Sequence, residues 1–169
     1  MIPTKVFFTR GIGHGDEKIV SFENALRDAK ISCYNLVTVS SILPAQCEEI
    51  SALDGIKLLS PGQIVYTVLS RRTHDNDSNS RTDNVFASIG IAKPKDPTLY
   101  GYLGEYSGEN EPIEYVLKKS CELAKKLLNS SKDNGDVECN TYEITAYTKI
   151  KSNTNYAYTT CIAAAVFIE

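Results

Sequence analysis

The sequence predicts a single α+β domain. About seven short runs rich in Val, Ile, Phe, Tyr and Thr are separated by turn residues. Two stretches show helical periodicity, and both stand apart from those runs. The chain has 169 residues, 42% hydrophobic and 23% charged, which suits one compact core. Runs of strands with segregated helices point to helices packed on sheet faces.

Each element has its own reason. Lys5 to Thr9 is a strand, rich in Val and Phe, and Gly11-Ile-Gly-His-Gly15 then breaks the chain. Ser21 to Lys30 reads as a helix capped by Ser21, because Phe22, Ala25, Leu26 and Ala29 form one apolar stripe. Ser32 to Val39 alternates as a strand and exits through Ser40-Ser41-Ile-Leu-Pro44, since proline cannot continue a central ladder. Pro61-Gly62 opens a strand over Gln63 to Ser70. Arg71 to Asn84 lacks aliphatic residues and reads as a long hairpin loop or flap. Val85 to Ala92 and Tyr100 to Tyr106 are strands on either side of the turn Lys93-Pro-Lys-Asp-Pro97. Pro112 starts the main helix, which runs to about Leu128. Thr141 to Ile150 and Tyr156 to Ile168 close the chain as strands flanking a turn-like segment, an expected hairpin.

Composition removes several function classes. The net charge is −3 and the pI about 5.5, so no basic excess points to nucleic acid. No apolar run approaches the roughly 20 residues that cross a bilayer. The N-terminal segment lacks the apolar stretch of a signal peptide. A soluble cytoplasmic protein, with no nucleic-acid or membrane partner, is the expectation. The five cysteines form no CxxC pair and the two histidines are too few for a His-rich centre, so neither disulfides nor a metal is expected.

Taken alone, the chemistry-bearing residues say little. Gly11 to Gly15 has the form of a phosphate-cradling loop, but the dinucleotide spacing and the Walker lysine are absent. Ser40-Ser41 has the ordinary reading of a polar strand end, and no GxSxG surrounds it. Glu23 falls in the first turn of the expected helix, where the helix dipole favours a carboxylate.

Wider segments carry more. Phe7-Phe-Thr-Arg-Gly11 leads into Ser21-Phe-Glu-Asn-Ala-Leu-Arg-Asp-Ala29, and Tyr34-Asn-Leu-Val-Thr-Val-Ser-Ser-Ile-Leu-Pro44 follows. Later come Leu59-Ser-Pro-Gly-Gln-Ile-Val65, Ser88-Ile-Gly-Ile-Ala-Lys-Pro-Lys-Asp96, Tyr100-Gly-Tyr-Leu-Gly-Glu-Tyr106 and Thr159-Thr-Cys-Ile-Ala-Ala-Ala-Val-Phe-Ile168. In this order the segments resemble the pyruvoyl-dependent arginine decarboxylases of archaea and some bacteria. The resemblance covers nearly the whole chain, and Asn35 through Pro44 is among its most specific parts. Ala45-Gln46 departs from the second proline often found after Pro44 in the family.

The resemblance implies an αββα sandwich with helices on the outer sheet faces. It also implies self-cleavage into 1–40 and 41–169. The Ser41 hydroxyl would attack the Ser40 carbonyl carbon and give an ester. Elimination and hydrolysis would then leave a pyruvoyl group at position 41. That carbonyl would form a Schiff base with L-arginine and accept electrons as carbon dioxide leaves, giving agmatine. By motif position, Asn35 would polarise the scissile carbonyl and Glu105 would supply a proton as general acid. Glu23 would pair with the substrate guanidinium, and Ile42 would line the pocket wall. Family members form homotrimers, sometimes paired as a dimer of trimers, with sites between subunits. The same chemistry on another amino acid, an unprocessed non-catalytic homologue, and a small-anion binder at Gly11 to Gly15 are the alternatives.

Overall fold

The computed structural model describes residues 2–76, 82–131, 136–151 and 155–169. In chain order the elements are β1 (Lys5–Gly15), α1 (Lys18–Asp28), β2 (Asn35–Thr38), β3 (Ile42–Leu43), β4 (Glu48–Glu49) and α2 (Ala52–Lys57). They continue with β5 (Ile64–Asp75), β6 (Asn84–Pro94), β7 (Gly101–Glu109), α3 (Ile113–Ser130), β8 (Cys139–Lys149) and β9 (Tyr158–Ile168). One sheet runs β2-β5-β9-β1-β4 and the other β3-β7-β6-β8. The sheets face each other across Val6, Val68, Ala163, Ala165 and Phe167 on one side and Ile89, Ile91 and Leu103 on the other. Helix α1 covers the outer face of the first sheet, with Ala25 and Leu26 against Phe7, Ile162 and Ala164. Helix α3 covers the second, with Ala124 and Leu128 against Ala92. The expected αββα layering is present.

Glycine explains why the outer helices lie so close. On β1, a Cβ built at Gly11 would sit 2.0 Å from the Ala25 carbonyl oxygen, and one at Gly13 2.2 Å from the Ala25 nitrogen. The backbone of α1 occupies the space that side chains would need. Gly90 repeats the device under α3, where a Cβ would fall 1.9 Å from the Ser120 carbonyl oxygen. The GxGxG sequence is therefore a packing comb along a strand and not a phosphate loop. Strand β1 continues through it because every residue from Lys5 to Gly15 pairs with β9.

Three further expectations are corrected. Helix α1 starts at Lys18, one turn before the expected cap. Ser21 lies inside it, buried, with its hydroxyl bonded to the Lys18 carbonyl and to Thr160 Oγ1. Glu23 is consequently beyond the first turn, where the dipole argument fades. Strands β8 and β9 do not form a hairpin, because they belong to different sheets. The cause is burial: β9 is apolar on both faces and lies between β5 and β1 with a helix above and a sheet below. Finally, Arg71–Asp75 is strand and not loop, paired with Tyr158–Ile162. Strand β5 then ends in one sheet and β6 begins in the other, so these two form no hairpin either. The expected loop's residues 77–81 lie outside the described residues.

Candidate active site

Strand β2 is the edge of one sheet and β3 the edge of the other, so the chain changes sheets at residues 39–41. On one side, the Val39 N–H donates to the Thr67 carbonyl at 2.9 Å, extending the β2–β5 pairing. On the other, the Leu103 N–H donates to the Ser41 carbonyl at 2.8 Å, extending the β3–β7 pairing. The Ser40–Ser41 bond is thus the crossing between two separately anchored ends. Ser40 is exposed and Ser41 half-buried. The Ile42 N–H also donates to the Ser40 carbonyl at 3.0 Å. Ser41 is therefore the middle residue of a three-residue turn.

Beside this crossing lies a pocket of about 390 Å³, lined by Pro3, Val39, Ser40, Ile42, Pro44, Tyr66 and Phe167. Its walls are mostly apolar, and the expected wall residue Ile42 is among them. Pro3 and Phe167 come from opposite ends of the sequence, brought together by the pairing of β1 with β9.

Glu105 lies on β7 two residues beyond Leu103, roughly 7 Å along the strand. It shares the inward face with Leu103, whereas the alternate residue Gly104 faces α3. Its carboxyl reaches the edge of β5, where the Leu69 N–H donates to it. That N–H is available because β2 has already ended at Thr38. Burial pushes the Glu105 carboxyl above the usual carboxylate range, and the Leu69 hydrogen bond offsets part of the rise. The side chain keeps an opening to solvent in the single chain. A partly desolvated carboxyl holds its proton more tightly than a fully hydrated one, the direction a general acid needs.

Two expected site residues are not brought to Ser41 within one chain. Asn35 begins β2, four extended residue steps before Val39, roughly 13 Å. Its side-chain amide donates to the Gly62 carbonyl at 2.7 Å. Glu23 lies on α1, in the outer layer, paired with Arg27 at 3.1 Å. The sheet stands between it and the space that Glu105 faces.

Main-chain donors at Leu69, Leu103 and Ile42, and the walls Tyr66 and Phe167, were outside the sequence expectations. An N–H carries no residue signature, and pocket walls drawn from distant strands have no local motif.

Comparison with known proteins identifies the family. The family profile described as pyruvoyl-dependent arginine decarboxylase matches residues 5–169. Pyruvoyl-dependent arginine decarboxylase 2 of Archaeoglobus fulgidus is 43% identical over 169 residues, covering 99% of this chain and 98% of that protein. A probable pyruvoyl-dependent arginine decarboxylase of Chlorobium limicola is 50% identical over 127 residues, 75% of this chain and 68% of its own. Among solved structures, a pyruvoyl-dependent histidine decarboxylase at pH 8 superposes with a TM-score of 0.50 at 21% identity. That match covers 66% of this chain and 53% of that one and supports the fold alone. With the family profile spanning all but the first residues, and a full-length relative at 43% identity, the chain belongs to the family of pyruvoyl-dependent arginine decarboxylases.

Proposed function

We propose that this chain cleaves itself between Ser40 and Ser41 and then decarboxylates L-arginine to agmatine and carbon dioxide. The observation that carries the reading is the anchored crossing: a Ser-Ser bond held between two sheets, beside a pocket and near a partly desolvated carboxyl.

The residues fit a pyruvoyl group derived from Ser41. The Ser41 carbonyl is retained through maturation, so the Leu103 N–H would continue to hold it. When present, the group supplies an electron-withdrawing carbonyl that binds the substrate's α-amino nitrogen and takes up electrons as the carboxylate leaves. Val39, Ile42 and Tyr66 flank the position and exclude water from the departing carboxylate. Glu105, protonated, delivers a proton to the substrate's α-carbon.

Glu23 binds the guanidinium, and Asn35 assists cleavage, across an interface between copies. The exposed apolar side chains Val37 and Ile64 at the β2–β5 edge, with Ile42 on β3, support such an assembly as a homotrimer. No helix among the described residues is long and apolar enough to cross a membrane.

Intact mass under denaturing conditions tests the first step, with two fragments expected and the larger starting at a blocked residue 41. Turnover of arginine, ornithine, lysine and aspartate by the cut protein tests the second. A persistent single chain of 18.6 kDa would sink the reading.

A further inference from the structure

We infer that the Tyr66 hydroxyl binds the α-carboxylate of the amino-acid substrate, donating a hydrogen bond to it in the pocket beside position 41. The inference rests on the decarboxylase reading above and assigns to it a side chain that no sequence motif singles out.

The strand fixes where Tyr66 stands. On β5 it pairs with Val37 of β2 and with Phe167 of β9, so its backbone is held from both sides. Its side chain shares the inter-sheet cluster with Val39, Val68 and Phe167. The next residue, Thr67, accepts the Val39 N–H at 2.9 Å. Tyr66 is thus beside the upstream anchor of the crossing. It lines the 390 Å³ pocket together with Ser40 and Ile42, the two chain neighbours of position 41.

Its hydroxyl is not used by the fold. The hydroxyls of Tyr106 and Tyr142 donate to the carboxylates of Glu111 and Glu49, and that of Tyr147 donates to the Glu111 carbonyl. Tyr66, half-buried, makes no hydrogen bond to any described residue. A phenol on a partly desolvated wall ordinarily has an acceptor. Here the pocket offers a donor, and the acceptor is left to the ligand.

The rest of the wall selects what that ligand group does. Pro3, Val39, Ile42, Pro44 and Phe167 are apolar, and among the described residues no Lys, Arg or His lines the pocket. A cation there would stabilise the substrate carboxylate in its charged form and oppose its loss as neutral carbon dioxide. One neutral donor orients the carboxylate at a smaller ground-state cost, while the apolar walls favour the uncharged product. The Ser40 hydroxyl is the other side-chain donor of the pocket. Cleavage leaves Ser40 at a chain end, whereas Tyr66 stays within the sheet.

Agmatine is arginine without the carboxylate, so the two ligands isolate the contact. The cut protein is treated with borohydride, which reduces the ketone carbonyl at position 41 to an alcohol. Binding of arginine and of agmatine is then measured by calorimetry, with no turnover. Tyr66→Phe should weaken arginine binding about 10–100-fold and leave agmatine binding unchanged. With unreduced protein the same variant should raise KM for arginine and leave inhibition by agmatine unchanged. Equal weakening of both ligands, or no change in either, would overturn the inference. If Tyr66→Phe does not fold, 3,5-difluorotyrosine at position 66 keeps the ring and ionises at lower pH than tyrosine. Arginine binding, and not agmatine binding, should then weaken as that phenol loses its proton. Arginine binding that holds through the ionisation would equally overturn the inference. Wild type that stays uncut, or that turns over no arginine once cut, would instead defeat the decarboxylase reading itself.

Discussion

The Leu103 N–H donates to the Ser41 carbonyl at 2.8 Å, fixing the chain on the downstream side of the Ser40–Ser41 bond to β7. The upstream side is fixed independently, through Val39 to Thr67 on β5. Breaking the bond between them releases neither end. The cut protein should therefore keep both fragments together in native conditions and separate them only on denaturation. Ser41→Ala, which lacks the attacking hydroxyl, should remain one chain of 18.6 kDa. Native and denaturing mass spectra of the two proteins check this directly. Dissociation of the fragments on native measurement would show that the two anchors do not suffice.

Glu105 carries a pH prediction with a definite sign. Burial raises its carboxyl, so the folded chain holds the proton more tightly than the unfolded one. The proton is present at low pH and lost as pH rises through the raised folded value. An activity that needs the acid form falls on that alkaline side. Glu105→Gln should still self-cleave, turn over arginine about 10²–10⁴-fold more slowly, and lose that limb of the profile. The same linkage applies to stability: the favourable contribution is complete below the unfolded carboxyl range and is lost between that range and the raised value. Thermal melts of wild type and Glu105→Gln should diverge across that window, with Gln flat.

Strands were legible in the sequence because alternation and turn residues are local signals. Their sheet membership was not. Strand β9 is apolar on both faces, and nothing in Tyr158–Ile168 itself says that its neighbours are β1 and β5 instead of the adjacent β8. The polar run at Arg71–Asp75 reads as loop because its side chains stitch sheet edges: Arg72 donates to Glu109 at 2.9 Å, and His74 Nδ1 lies 3.2 Å from the same carboxyl. The site divided in the same way. Ser40, Ser41, Glu105, Asn35 and Glu23 were named through motif positions that the family shares, whereas backbone donors depend on pleat and register.

Glu23 offers a test of assembly as well as specificity. Within one chain it pairs with the exposed Arg27, a contact of small energetic weight. Glu23→Gln should therefore leave stability and self-cleavage unchanged. It should lower kcat/KM for arginine about 10–100-fold, mainly through KM, as expected for one charge-assisted pair. Mixing this variant with Ser41→Ala subunits should restore activity if the two residues meet across an interface. Full activity of Glu23→Gln alone would remove it from the site.

The glycine comb predicts a purely structural effect. A Cβ at Gly11 would lie 2.0 Å from the Ala25 carbonyl oxygen and 2.8 Å from the Ala29 nitrogen, both backbone atoms of the α1 region. The helix must shift outward to admit it. Gly11→Ala should destabilise by about 1–3 kcal/mol in denaturant unfolding. Inorganic phosphate should leave the wild-type melting temperature where it is. A phosphate-dependent rise, with little effect of Gly11→Ala, would return the segment to an anion-binding role.

At Ala45-Gln46 the sequence reading expects a second proline after Pro44, and the backbone shows what a proline at position 45 would do. The Cys47 N–H donates to the Pro44 carbonyl at 3.3 Å, closing a four-residue turn over Pro44, Ala45, Gln46 and Cys47. Gln46 has φ 59°, the sign a type II turn requires at its third residue. Ala45 is the second residue of that turn, the place where proline's fixed φ suits a type II geometry. Here the turn forms without it, held by the Leu43 side chain buried against the inter-sheet core and by Cys47, also buried there. Ala45→Pro should restrict the unfolded chain while leaving the turn in place. The expected gain is about 0.4–1 kcal/mol in unfolding free energy, with self-cleavage unaltered. A loss of stability would mean that the Ala45 N–H or its φ is needed in a form proline cannot adopt.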